Sequence, residues 1–142
     1  MYKPLPRQLT IKKSPIEGLG LYATEDIKKN SYIGVTHIRD EQFENKYIRT
    51  PVGGFYNHSN EPNVRRVVSD SLPKLKCGDQ IDESLNMSKI PDGKANRENL
   101  YPNIKGRYMF IVSIKDIKVG EELTANYNLY TYPKTGIGLQ SF

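Results

Sequence analysis

Short runs of apolar and β-branched residues, each bounded by turn formers, recur along the chain and predict a mostly β fold. Leu9-Thr10-Ile11 reads as a first strand, closed off by the turn-prone Ser14-Pro15 and then by Gly18 and Gly20. Residues 21–24 suit a second strand, 26–30 a turn, and 32–38, where β-branched side chains recur, a third strand. Residues 40–49 carry charges with Phe43, Tyr47 and Ile48 set among them, which predicts one or two helical turns.

Gly53-Gly54-Phe55-Tyr56 then leads into Asn57-His58-Ser59-Asn60-Glu61-Pro62-Asn63. Polar side chains follow two aromatics in this turn-rich segment, so it reads as a site rather than as scaffold. Residues 64–68 suit another strand, whereas 69–107 are dense in Ser, Pro, Asp, Gly, Asn and Lys with no sustained period and predict an irregular insertion. Insertions of that length are uncommon inside a compact domain. Residues 108–114 are continuously apolar and β-branched apart from one serine, the mark of a strand buried on both faces. A charged turn at 115–120, a short strand at 121–124 and a tail bearing Tyr127, Tyr130 and Tyr132 complete the pattern. The turn at 116–120 echoes the one at 26–30, but a single shared turn does not make a tandem repeat.

Composition narrows the class. A length of 142 residues suits one domain over 1–142, with the insertion inside it. No apolar run approaches the roughly 20 residues that span a bilayer, so no membrane is expected. The first residues lack the apolar stretch of an export signal, which points to an intracellular, cytoplasmic setting. Cys77 is the only cysteine, which excludes an intramolecular disulfide and a zinc site of several thiolates. His37 and His58 have no metal-binding frame, so no metal is expected. The net charge of +5 comes from Lys and Arg spread along the chain. Pairs such as Lys12-Lys13, Lys28-Lys29 and Arg65-Arg66 read as solvated surface, which disfavours a nucleic-acid partner.

Three segments carry candidate chemistry. Gly18-Leu19-Gly20-Leu21-Tyr22-Ala23-Thr24-Glu25-Asp26-Ile27 opens with a glycine pair that is, on its own, either a plain turn or a place where bare backbone lines a ligand. The stretch after Gly20 is strand-like and lacks a third glycine, which disfavours a dinucleotide fingerprint. Asn57-His58-Ser59 is formally a glycosylation sequon, which matters only for an exported chain, and otherwise fits an Asx turn or a binding segment. Gly120-Glu121-Glu122-Leu123-Thr124-Ala125-Asn126-Tyr127-Asn128 is either an edge strand closing on a core aromatic or a site.

In this order the three segments resemble the GxGLFA…I, NHSxxPN and GEELTxDYN motifs of the SET-domain protein lysine methyltransferases, and together they cover nearly the whole chain. The resemblance implies a β-rich fold of small curved sheets in which the Asn57 and Tyr127 segments pass close together in a knot-like threading. It implies a histone-lysine-methyltransferase-like activity: methyl transfer from S-adenosyl-L-methionine to a lysine amine of a protein or peptide, leaving S-adenosyl-L-homocysteine. By the same resemblance Tyr127 is the catalytic tyrosine. Gly18, Leu19, Gly20, Leu21, Tyr22, Asn57, His58 and Tyr127 are the donor-binding residues. Pro62 and Asn63 fix the turn.

The chain departs from the pattern in places. Asn126 stands where the family usually has an acidic residue, and Val35-Thr36-His37-Ile38 replaces a stretch that often carries a tyrosine. Tyr32, His37, Tyr130 and Tyr132 are candidates for the missing aromatic, with core or surface as the plainer role for each. No cysteine-rich zinc segment comes after the last motif, so residues 129–142 are expected to close the site with their aromatics. The competing class is a non-catalytic SET-like protein-binding module. The insertion leaves acceptor recognition and homodimerisation both open.

Overall fold

Aromatic and β-branched side chains suit a pleated, half-covered surface. The computed structural model accordingly builds strands; it describes residues 4–40, 42, 47–69, 73–81, 87–90, 107–127 and 130–133. Among the described residues the elements are β1 (Leu9–Lys13), β2 (Leu19–Ala23), β3 (Tyr32–Arg39), β4 (Tyr47–Arg49), β5 (Asn57–His58), β6 (Val64–Ser69), β7 (Met87–Ile90), β8 (Tyr108–Ser113), β9 (Glu122–Ala125) and β10 (Tyr130–Pro133). No helix occurs among these residues, and none is long and apolar enough to cross a membrane. The mostly β fold expected from the sequence is present.

Two open sheets form, in the orders β1-β2-β9-β5 and β4-β3-β8-β6-β10-β7. β8 lies inside the larger sheet between β3 and β6, and Met109, Phe110, Ile111 and Val112 are wholly buried. Its side chains alternate between faces. Ile111 joins Leu21, Ile33, Val64, Ile117 and Leu123 in the main core, whereas Phe110 and Val112 pack with Tyr32, Val67 and Ile81 in a second cluster. The all-apolar stretch is therefore covered on both sides, as its composition predicts.

The echoed turns meet each other. Ile27 and Ile117 exchange backbone hydrogen bonds, both at 2.7 Å. Asp116 Oδ1 accepts from the Lys29 N–H at 2.9 Å, and Asp26 Oδ1 accepts from the Val119 N–H at 2.8 Å. Each turn ends in a left-handed residue, Asn30 at φ 63° and Gly120 at φ 89°. The same five-residue pattern thus appears twice because each copy caps the other.

Three local expectations change. The helical turns expected over 40–49 are not found: residues 47–49 are β4, paired antiparallel with β3 through His37↔Arg49, Ile38↔Ile48 and Arg39↔Tyr47, while 41 and 43–46 fall outside the described residues. Burial of Tyr47 against the His37 ring and the β-branched Ile48 favour a strand once β3 offers an edge. Asn57 and His58, read as turn, form a two-residue strand. Residues 87–90, inside the expected insertion, are a strand paired antiparallel with β10.

Candidate functional site

β9 runs antiparallel to β2 on one side and parallel to β5 on the other, pairing Leu21 with Leu123 and Asn57 with Thr124. The glycine turn, the Asn57 segment and the stretch leading to Tyr127 are thereby brought together, as the threading expected from the motifs requires. Asn63 locks this seam. Its Oδ1 accepts from the Thr124 N–H at 2.8 Å and its Nδ2 donates to the Glu122 carbonyl at 2.7 Å, while its own N–H donates to the Thr124 carbonyl at 3.1 Å.

A cavity of about 380 Å³ opens at the seam. That volume lies in the range of roughly 300–1,000 Å³ typical of small-molecule sites. The turn contributes Glu17, Gly18 and Leu19; β3, β4 and β6 contribute His37, Arg49 and Arg66; the segment before and into β5 contributes residues 53–57; and Tyr127 completes the wall. Two arginines and one glutamate place both signs of charge around it.

Tyr127 comes two residues after the end of β9, and Tyr56, His58 and Arg66 fix it. Its hydroxyl donates to the Tyr56 carbonyl at 2.6 Å, and its N–H donates to His58 Nδ1 at 2.9 Å. Accepting at Nδ1 leaves the neutral His58 ring with its proton on Nε2, which lies 3.3 Å from Asn60 Oδ1. The Tyr56 and His58 rings meet Tyr127 edge-on at 5.9 and 5.2 Å. The Arg66 guanidinium lies 5.4 Å from the Tyr127 ring centre, and its Nη1 donates to the Tyr127 carbonyl at 3.1 Å. The residue nevertheless remains 41% exposed, so it is held in place without being sealed in.

Asn57 fixes the opposite wall. Its Nδ2 donates to Glu122 Oε2 at 2.8 Å and approaches the carbonyls of Glu17 and Leu19, both at 3.2 Å. Two N–H groups thus serve three acceptors, which ties the turn around Gly18, itself at φ 43°, to the head of β9.

Of the residues singled out by sequence, Gly18, Leu19, Asn57 and Tyr127 line the cavity together, and His58 packs behind Tyr127. Gly20, Leu21 and Tyr22 do not line it. Leu21 is in the main core, Gly20 is buried beside Glu122, and the Tyr22 hydroxyl donates to the Lys13 carbonyl at 2.8 Å. Among the candidates for the missing aromatic, His37 lines the cavity, and its Nδ1 lies 2.9 Å from Thr36 Oγ1. Tyr32 instead packs on Phe110 in the second core cluster, with ring centres 5.4 Å apart. The side chains of Tyr130 and Tyr132, and those of the tail expected to close the site, lie outside the described residues.

Sequence reading missed Tyr56, Arg66 and Glu122. Tyr56 acts through its carbonyl, for which side-chain identity gives no signal. Arg66, expected on the solvated surface, is only 3% exposed, because Met109, whose Sδ lies 3.4 Å from its Nε, and the Tyr127 ring cover it. Its signal was the pair of charges, Arg65 and Arg66, set between the valines of the strand Val64–Ser69, one of which must turn to each face.

Comparison with known proteins adds to this geometry. The family model described as SET domain matches residues 18–128. The search of curated proteins returns no significant match. A Plasmodium falciparum protein assigned as a histone methyltransferase is similar in structure, with TM-score 0.49 and 21% identity over 87% of this chain and 95% of that one. The Neurospora SET domain protein DIM-5, a histone lysine methyltransferase, gives TM-score 0.43 and 14% identity over 94% of this chain and 55% of its own. KRYPTONITE, in complex with mCHH DNA, an H3(1-15) peptide and SAH, gives TM-score 0.43 and 20% identity, this chain covering 25% of it. Since the family match runs from the left-handed glycine to the residue after Tyr127, over elements that converge on one cavity, the chain belongs to the SET domain family.

Proposed function

We propose that this protein transfers methyl groups from S-adenosyl-L-methionine to the side-chain amine of lysine in a protein or peptide. The observation that carries the reading is the Tyr127 hydroxyl, which is held by the Tyr56 carbonyl on the wall of a cavity that it shares with the Gly18 turn and Asn57. The cavity suits the donor in size, and Glu17 and Arg49 offer signs of charge that match an ammonium and a carboxylate. Gly18, Leu19, Asn57 and His58 would hold the donor, with Gly20, Leu21 and Tyr22 supporting that wall from behind. When bound, the donor supplies an electrophilic methyl on a sulfonium.

A lysine ammonium has a pKa near 10.4, so only on the order of one amine in a thousand is neutral at pH 7. A desolvated, aromatic-walled site lined by cations favours the neutral amine by withholding hydration and by like-charge repulsion. Tyr56, Phe55 and Tyr127 provide the aromatic wall, and Arg49 and Arg66 the cations. Because the Tyr127 hydroxyl gives its proton to the Tyr56 carbonyl, its lone pairs are left to accept from the amine N–H. Tyr127 thus positions the amine rather than removing its proton, which leaves to water. The rate then comes from alignment of nucleophile and methyl.

A non-catalytic binding module is favoured by one observation: the Arg66 guanidinium, 5.4 Å from the Tyr127 ring centre, already occupies one face of that ring. Calorimetric titration with S-adenosyl-L-homocysteine, followed by methyl incorporation from labelled donor into mixed proteins, separates the readings. The enzyme binds and incorporates, and Tyr127→Phe keeps binding while losing about a hundredfold in rate. Binding without incorporation favours the module, and absence of binding overturns the enzyme reading.

A further inference from the structure

Gly18 and Gly20 look equivalent in sequence yet meet different surroundings. A side chain at Gly18 would find open space, and its left-handed backbone alone accounts for the glycine. Gly20 is buried in β2 without a left-handed backbone, and a Cβ there would collide with the Glu122 carboxylate. The room that Gly20 leaves is filled by a charged group from a strand about a hundred positions away.

That carboxylate joins three segments. Ser14 Oγ donates to it at 2.8 Å, Asn57 Nδ2 at 2.8 Å, and the Tyr22 hydroxyl lies 3.4 Å from it. Asn57 in turn reaches the carbonyls of Glu17 and Leu19, which flank the left-handed Gly18 at the cavity wall. Without a charged acceptor, the Asn57 amide loses its strongest partner and the turn loses its tie to β9. We propose that Glu122 is a positioning residue for the donor: acting through Asn57, it holds the Gly18 turn where the turn can grip the amino-acid end of a sulfonium nucleoside. Gly20 is glycine to admit this carboxylate, not to approach the ligand. This inference rests on the reading of the cavity as a donor site.

The test is a double-mutant cycle on binding of S-adenosyl-L-homocysteine by calorimetry, with a thermal midpoint recorded for every variant. Glu122→Ala weakens binding about tenfold, equivalent to about 1.4 kcal/mol. Gly20→Ala, which displaces the same carboxylate, weakens it at least as much, and the double variant is no worse than Gly20→Ala alone, since both changes remove one interaction. Glu122→Gln keeps the shape and one acceptor oxygen; it falls between wild type and Glu122→Ala and serves where the alanine variant fails to fold. Additive losses overturn the linkage between glycine and carboxylate. Wild-type affinity in the Glu122 variants, with a lowered midpoint, makes Glu122 a structural residue only. If wild type itself fails to bind, the donor reading falls and takes this inference with it.

Discussion

Asn63→Ala tests the seam most directly. Asn63 is 6% exposed, and its amide bridges the Thr124 N–H and the Glu122 carbonyl at 2.8 and 2.7 Å. Alanine leaves both groups without these partners. An orphaned buried N–H costs about 1–3 kcal/mol, and the half-buried carbonyl adds about 1 kcal/mol, so the loss is roughly 2–4 kcal/mol. That is a large share of the roughly 5–15 kcal/mol that stabilises a domain. With a urea slope of about 2 kcal/mol/M, the unfolding midpoint should fall by about 1–2 M at unchanged slope. Asn63→Asp has the same shape and keeps the acceptor for Thr124, but sets a carboxylate against the Glu122 carbonyl. Its protonated form, which can donate to that carbonyl, is favoured by the fold, so the carboxyl pKa rises. The variant's stability is then retained below the ordinary value near 3.9 and lost as pH rises. Urea titrations at pH 3 and pH 7 check this. Unfolding of Asn63→Ala at the wild-type midpoint, with the wild-type slope, would refute the assignment.

Two further outcomes rest on packing and charge. Gly53→Ala places a Cβ against the backbone of Thr36 and should cost more than about 3 kcal/mol, whereas Gly18→Ala meets only its positive φ and should cost about 1–2 kcal/mol; thermal melts that rank them the other way refute the contact. Burial, with smaller effects from Glu25 and Asp79, raises the Cys77 thiol from 9.0 to about 11, and burial, followed by the charge of Cys77, raises the Tyr32 hydroxyl from 10.0 to about 12. Between these values the unfolded chain has lost protons that the folded chain keeps, so stability is full below about pH 9 and declines as pH rises through 11 and 12. Denaturant midpoints that stay flat from pH 9 to 12 would contradict this.

What the sequence discloses depends on whether a residue's partner is local. The strand Tyr108–Ser113 was legible because burial on both faces demands continuous apolar character, whatever its neighbours are. The glycine turn, Asn57 and Tyr127 were legible through motif resemblance, and the structure brings these segments together. Residues 47–49 were misread because Tyr47 and Ile48 take strand form from the edge of β3, which sequence spacing does not reveal. Arg66 was hidden for the same kind of reason: solvation is the default for arginine, and only its distant partners Met109 and Tyr127 override it. The recurrent turn was visible as a pattern, but its reciprocal carboxylate caps appear only once both copies are side by side.

The bond from the Tyr127 hydroxyl to the Tyr56 carbonyl spans 71 positions of chain, and β5 pairs with β9 in parallel across a similar separation. Closing so long a loop is entropically unfavourable before any contact compensates, and such non-local parallel pairing slows folding. One wall of the cavity comes from the far end of this loop, so a nascent chain that has not yet delivered residues 122–127 lacks that part of the pocket. A small molecule that binds the completed cavity should slow unfolding more than it accelerates folding, because it binds only once these distant strands have met.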